Sequence, residues 1–240
     1  MMRPFGLACA VAALTHISPT EANAACRQAL ALGLDVSASV DAQEYRLQLD
    51  GLAAALGSAE VSAILLADGS APVRVAIYEW SAPGSERLIL GWTDITDLAA
   101  LRSVQARLNT TQRADIGSST GLGSALEFGV SLLQTQDHCW TQTLDLSGDG
   151  KGNIGRHPQN VDAPPHIRVN GLVVGVDDGT GGHERDLQIG ELAAYYNAFV
   201  IRGIDAFVET ALGFEDYETA MRRKLIRELS ALTVSQAQPQ

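Results

Sequence analysis

An apolar run from Ala29 to Leu34 passes directly into Asp35-Val36-Ser37-Ala38-Ser39, and no other stretch constrains the fold as much. A continuous apolar segment ending in a carboxylate reads as a strand buried on both faces, the kind found in parallel sheets. Open α/β sheets bind ligands just beyond the carboxyl ends of their strands. One carboxylate and two hydroxyls therefore emerge where such a fold keeps its crevice. These are hard oxygen ligands, suited to Mg²⁺, with Mn²⁺ or Ca²⁺ as alternatives; zinc or copper would call for His or Cys. The same residues also suit a turn with a helix N-cap, supplied by Ser39 or Asp41. The pentapeptide leaves both readings open.

Strand and helix patterns alternate through the rest of the chain. Asp41 to Leu56 places Tyr45, Leu49, Leu52 and Leu56 on one helical face. Val73–Trp80 and Arg87–Trp92 read as strands joined by the turn Ala82-Pro83-Gly84-Ser85, which makes the second an antiparallel edge strand. Helices are expected over Asp97–Leu108, Thr120–Gln134, Glu184–Ala198 and Glu215–Leu229, and strands over Trp140–Leu146, Val169–Val176 and Ala206–Thr210. Trp80, Trp92, Trp140, Tyr195 and Tyr196 fall within these patterns as packing residues. The alternation predicts an α/β fold: a doubly wound, mostly parallel sheet with helices on both faces.

The first residues read as a signal peptide. One Arg precedes the apolar stretch Phe5–Leu14, and Ala22-Asn23-Ala24 offers small residues for cleavage after Ala24. The expected organisation is a signal peptide over 1–24, one domain over 25–232 and a disordered tail over 233–240. Export, to the periplasm or beyond, leaves Cys26 and Cys139 in an oxidising compartment, where a pair usually closes into a disulfide. Each opens an apolar run that ends in an acidic loop, so on neighbouring strands both sulfurs would lie opposite the metal end. No stretch is long and apolar enough to span a membrane. The formal charge of −11 argues against nucleic acid or an anionic membrane as partner.

Two more oxygen-bearing loops fall at the same expected sheet edge: Ser118-Ser119-Thr120-Gly121, opening a helix, and Asp149, following a strand. Asp35, Ser37, Ser39, Thr120 and Asp149 form the candidate metal set, with Asp35 and Asp149 placed in surface loops. Two carboxylates and three hydroxyls neutralise a divalent ion only partly and leave room for an outside ligand.

This three-loop pattern resembles the metal-ion-dependent adhesion site (MIDAS) of von Willebrand factor A-type domains. The stretches LGLDVSASVDAQEYRLQLDGLAAAL, VAIYEWS, LDLSGDGKGN, RVNGLVVG and GFEDYETAMRRKLIREL resemble an exported bacterial branch of that superfamily, the domain of unknown function family 1194. The resemblance implies that Ser37 and Ser39 contact the ion directly, and that Asp35, Thr120 and Asp149 bind it directly or through water. It also implies a non-enzymatic recognition domain whose protein partner offers an acidic residue to the ion. A Mg²⁺-dependent phosphate-ester hydrolase and a structural domain with an idle site are the alternative readings.

Proline at 158, 164 and 165 interrupts the segment after Asp149, where the family usually carries a helix; at most a turn or two is expected there. Gly117-x-Ser119-x-Gly121 imitates a nucleophile elbow but lacks the preceding strand. Asp145-x-Ser147-x-Asp149 imitates a calcium loop, yet its twelfth position is Arg156 where Glu is required. His138, His157, His166 and His183 stand at no metal-ligand spacing, and Lys151 is the only Lys or Arg within the three loops.

Overall fold

The computed structural model describes residues 25–114, 117–176 and 182–235. The expected signal segment lies outside them, as do residues 177–181 of the glycine-rich loop after the Val169 strand and residues 236–240 of the expected tail.

Strands β1 (Gln28–Asp35), β2 (Val73–Trp80), β3 (Arg87–Ile95), β4 (Gln142–Gly148), β5 (Ile167–Val174) and β6 (Val208–Ala211) form one sheet in the order β3-β2-β1-β4-β5-β6. All pairings are parallel except that of β2 with the edge strand β3. The connections are helices α1 (Ala42–Gly57), α2 (Ala59–Leu65), α3 (Leu98–Thr110), α4 (Leu122–Gln134) and α5 (Gly182–Phe199), with α6 (Tyr217–Ser235) at the end.

All of β1 is buried. Successive residues of a strand face opposite sides, so Leu30, Leu32 and Leu34 enter a core shared with Leu49, Val61, Leu101 and Leu225 of α1, α2, α3 and α6. Ala29 and Ala31 enter the other core, with Leu126 of α4 and Leu192 of α5. Each fully buried leucine contributes about 1.5–3 kcal/mol, which outweighs the indifferent strand propensity of Leu and Ala. Central placement of β1 therefore carries Asp35 to the middle of the sheet's carboxyl edge.

Asp41 resolves the ambiguity over the helix cap. Its Oδ1 accepts the amides of Gln43 and Glu44 at 2.7 and 2.8 Å, and Glu44 Oε2 accepts the Asp41 amide at 2.8 Å, a closed capping box. Ser39 is thereby left for another role.

Three differences from expectation have local causes. Helix α2 is absent from the sequence reading; it is short, and only its Ser58 cap and the buried pair Val61 and Leu65 define it. Trp140 lies just before β4 rather than in it and is 54% exposed. Helix α6 continues through Ser235, three residues into the expected tail, because no Gly or Pro stands between Leu229 and Ser235 to stop it. The crossover after β4 holds a single 3₁₀ turn, Pro158–Asn160, as the prolines require.

Cys26 and Cys139 are disulfide-bonded, with Cα atoms 4.5 Å apart, at paired positions where the chain enters β1 and β4. That is the sheet edge opposite Asp35. Denatured without reductant, the chain from residue 25 onward is expected to show no titratable thiol, and a count of two would refute the bridge.

Candidate metal centre

The first loop is held rigidly from within. Asp35 is 0% exposed, its Oδ1 accepts the Ser37 amide at 2.8 Å, and its backbone carbonyl accepts Gln48 Nε2 at 2.9 Å. The Ser37 and Ser39 hydroxyls lie 3.2 Å apart, and Ser39 Oγ donates to Asp149 Oδ1 at 2.9 Å. One hydrogen-bonded chain thus joins the β1 and β4 loops.

Thr120 is brought to the same edge by its own set of contacts. Ala38 donates its amide to the Ser118 carbonyl at 3.1 Å, tying the first loop to the second. Asn153 accepts the Thr120 amide on Oδ1 and donates its own amide to the Thr120 carbonyl, both at 2.9 Å. The Thr120 hydroxyl lies 3.5 Å from Asn153 Nδ2, beside the Asp149–Gly150 turn.

The expectation that both carboxylates sit in surface loops is overturned: Asp35 and Asp149 are both buried. Parallel β1 and β4 run side by side to their ends, and the loops fold back over the edge. Asp35 Oδ2 and Asp149 Oδ2 are each buried without a hydrogen-bond partner among the described residues. Burial first, and the neighbouring Asp149 second, push the Asp35 carboxyl up to about 8, against the opposing pull of the Ser37 hydrogen bonds and Arg113. Burial also raises Asp149, opposed by the Ser39 hydroxyl. An ionised carboxylate in such surroundings is costly unless a cation or donor meets it. The donor set, two carboxylates with adjacent hydroxyls, fits a hard divalent cation.

Sequence reasoning missed two residues that shape this edge. Arg113 donates through Nη2 to the carbonyls of Val36 at 3.0 Å and Ser37 at 3.1 Å, and through Nη1 to that of Val40, gripping the first loop from outside. In the sequence it stands in a polar stretch with nothing to mark it. Asn153 lies in SGDGKGN, where its position just after Asp149 was the available signal.

The motifs that imitate other sites are engaged elsewhere. Asp145 forms an ion pair with Lys224 inside the core, and Ser147 Oγ lies 3.0 Å from Tyr217 Oη, so neither joins Asp149 in a calcium loop. His157 packs edge-on against Tyr195 and Phe199 with ring centroids 5.8 and 5.0 Å away. His138 stands beside Cys139 at the far edge, where both sulfurs of the Cys-His-Cys group are consumed by the disulfide. Lys151 pairs with exposed Glu191 at 3.4 Å.

A family model described as Protein of unknown function (DUF1194) matches residues 25–233. The chain belongs to this family. Among curated proteins none matches it. Among solved structures, proximal thread matrix protein 1 from the mussel byssus, in a form with a zinc-occupied MIDAS motif, is 15% identical with a TM-score of 0.56, covering 86% of this chain and 48% of that one. The PilB minor pilin from Streptococcus sanguinis is 12% identical with a TM-score of 0.54, covering 90% of this chain and 64% of that one. An aerotolerance-related membrane protein from Bacteroides fragilis is 15% identical with a TM-score of 0.51, covering 83% and 98%. The chain thus spans about half the length of the mussel protein. At these identities the likeness is one of fold alone: this DUF1194 member has a von Willebrand A-like α/β fold.

Proposed function

We propose that this DUF1194 domain is an exported, non-enzymatic recognition module that binds a protein partner through a divalent cation. Asp35, Ser37, Ser39, Thr120 and Asp149 would hold the ion, with Mg²⁺ as the expected species and Mn²⁺ or Ca²⁺ as substitutes. The observation that carries this reading is the pair of buried, partnerless carboxylate oxygens, Asp35 Oδ2 and Asp149 Oδ2, beside two linked serine hydroxyls at the sheet's carboxyl edge. Water-filled polar surface would satisfy those oxygens without such a construction; a cation satisfies them and gains charge compensation.

The zinc in the mussel protein's MIDAS and the pilin context of a second fold relative support the reading. A partly neutralised ion keeps affinity for an outside carboxylate, so an acidic side chain of the partner is the natural remaining ligand. Among the described residues no helix is long and apolar enough to cross a membrane. His138 stands at the disulfide and His157 in an aromatic cluster with Tyr195.

Calorimetric titration with Mg²⁺ and Mn²⁺ is expected to show one site, and partner captured from the native envelope in Mg²⁺ is expected to elute with EDTA. Ligand-linked stabilisation should reach about 2.7 kcal/mol at a hundredfold excess over Kd. Absence of both heat and thermal shift would sink the metal reading, while metal binding without an EDTA-sensitive partner would favour an idle site.

A further inference from the structure

A third buried oxygen faces this edge, and it comes from helix α5. The Tyr196 hydroxyl is buried and has no hydrogen-bond partner among the described residues. It lies over Gly148, the residue just before Asp149. A Cβ built on Gly148 would stand 2.9 Å from Tyr196 Oη and 2.9 Å from Asp35 Oδ2. Both orphaned oxygens therefore border the space that a methyl group on Gly148 would fill.

The sheet is shaped to admit the ring. A Cβ on Gly171 of β5 would come within 2.6 Å of Tyr196 Cδ1, so the tyrosine lies across two neighbouring strands at positions where both carry glycine. Any larger residue at either place would push the ring away. A buried phenol normally finds a partner, and a carboxylate oxygen has lone pairs enough for both a donor and a cation.

We propose that Tyr196 is a positioning residue of the metal centre: in the metal-loaded protein its hydroxyl closes the gap beside Gly148 and donates to Asp35 Oδ2, fixing the carboxylate for the cation. The Ser37 amide already holds Oδ1, so this second donor immobilises both oxygens. Fixed ligands bind more tightly because less freedom is lost on binding, and hydrogen-bonded partners of ligating groups typically change metal affinity about 10–100-fold. The inference rests on the metal reading given above.

Tyr196→Phe separates this role from packing. It keeps the ring and removes only the oxygen, so the metal-free melting temperature is expected to stay the same or rise, while Mn²⁺ affinity by calorimetry falls about tenfold. Wild-type affinity in a folded variant overturns the proposal, as does a lowered melting temperature with affinity intact. A wild-type protein that binds no Mn²⁺ overturns the metal reading itself, and with it the role of Tyr196.

Discussion

Asp35→Asn is expected to abolish stabilisation by Mg²⁺ and Mn²⁺ and, at the same time, to raise the stability of the metal-free protein. The asparagine carbonyl can still accept the Ser37 amide that Asp35 Oδ1 accepts at 2.8 Å. Its amide nitrogen replaces Oδ2, an acceptor now buried without a donor, and removes a charge lying close to Asp149. Where Asp35 is ionised, above about pH 8, removal of that uncompensated buried charge is worth about 1–3 kcal/mol, and in a domain of this size 1 kcal/mol moves Tm by about 2–4 °C. Thermal unfolding in EDTA and in excess Mg²⁺ measures both effects. A variant less stable than wild type in EDTA, or one retaining its metal shift, would contradict the assignment.

The same carboxylate sets a pH dependence whose sign follows from its environment. Burial and Asp149 raise Asp35 to about 8 in the folded protein, so folding favours its protonated form. That contribution is complete below the ordinary carboxylate range, about 4, and is lost as pH rises through 8. The metal-free wild type should weaken across this window, and the advantage of Asp35→Asn in EDTA should grow with it. A cation requires the ionised form, so Mg²⁺ stabilisation should rise over the same range. Thr120→Ala removes one neutral oxygen, leaves both carboxylates in place, and should weaken metal binding less than loss of either one.

Elements defined by periodicity were legible in the sequence, and those defined by single contacts were not. The run Ala29–Leu34 must be central because it is apolar on both faces, and the turn Ala82–Ser85 makes β3 antiparallel because it is too short for a crossover. With the central strand placed, Asp35 and Asp149 fall at one edge. Choosing between Ser39 and Asp41 as helix cap needed the observed hydrogen bonds to Gln43 and Glu44. Arg113 and Tyr196 act through carbonyls and oxygens distant in sequence, and nothing in a guanidinium or a phenol says which distant atom it will meet. The burial of the carboxylates was also hidden, since loops read as surface until their folding back is seen. Lys224 is the extreme case: within Arg222-Arg223-Lys224 it reads as a solvated charge, yet it is wholly buried.

That lysine underlies the largest stability effect expected of a single substitution. Its Nζ lies 2.9 Å from Asp145 Oδ1 on β4 and also pairs with Glu228 one turn along α6. Glu228 Oε1 accepts Asn170 Nδ2 at 2.7 Å, and Asn170 Oδ1 accepts the Phe207 amide at 3.1 Å, so the network ties α6 to β4, β5 and the entry to β6. Asp145 Oδ2 and Glu228 Oε2 already lack hydrogen-bond partners, which leaves the ammonium as the main compensation for two buried carboxylates. Lys224→Met strands both acids and should cost about 3–5 kcal/mol, the usual penalty for breaking a buried ion pair from one side. The loss should be largest at pH 8 and shrink towards pH 5, because burial already raises the Asp145 carboxyl to about 7 and loss of the ammonium removes the opposing pull, so this acid becomes neutral as pH falls. Adding Asp145→Asn and Glu228→Gln, which neutralise both acids at nearly constant shape, should recover most of the stability in urea denaturation. Equal destabilisation of the single and triple variants would show instead that the lysine stem, and not its charge, supports the core.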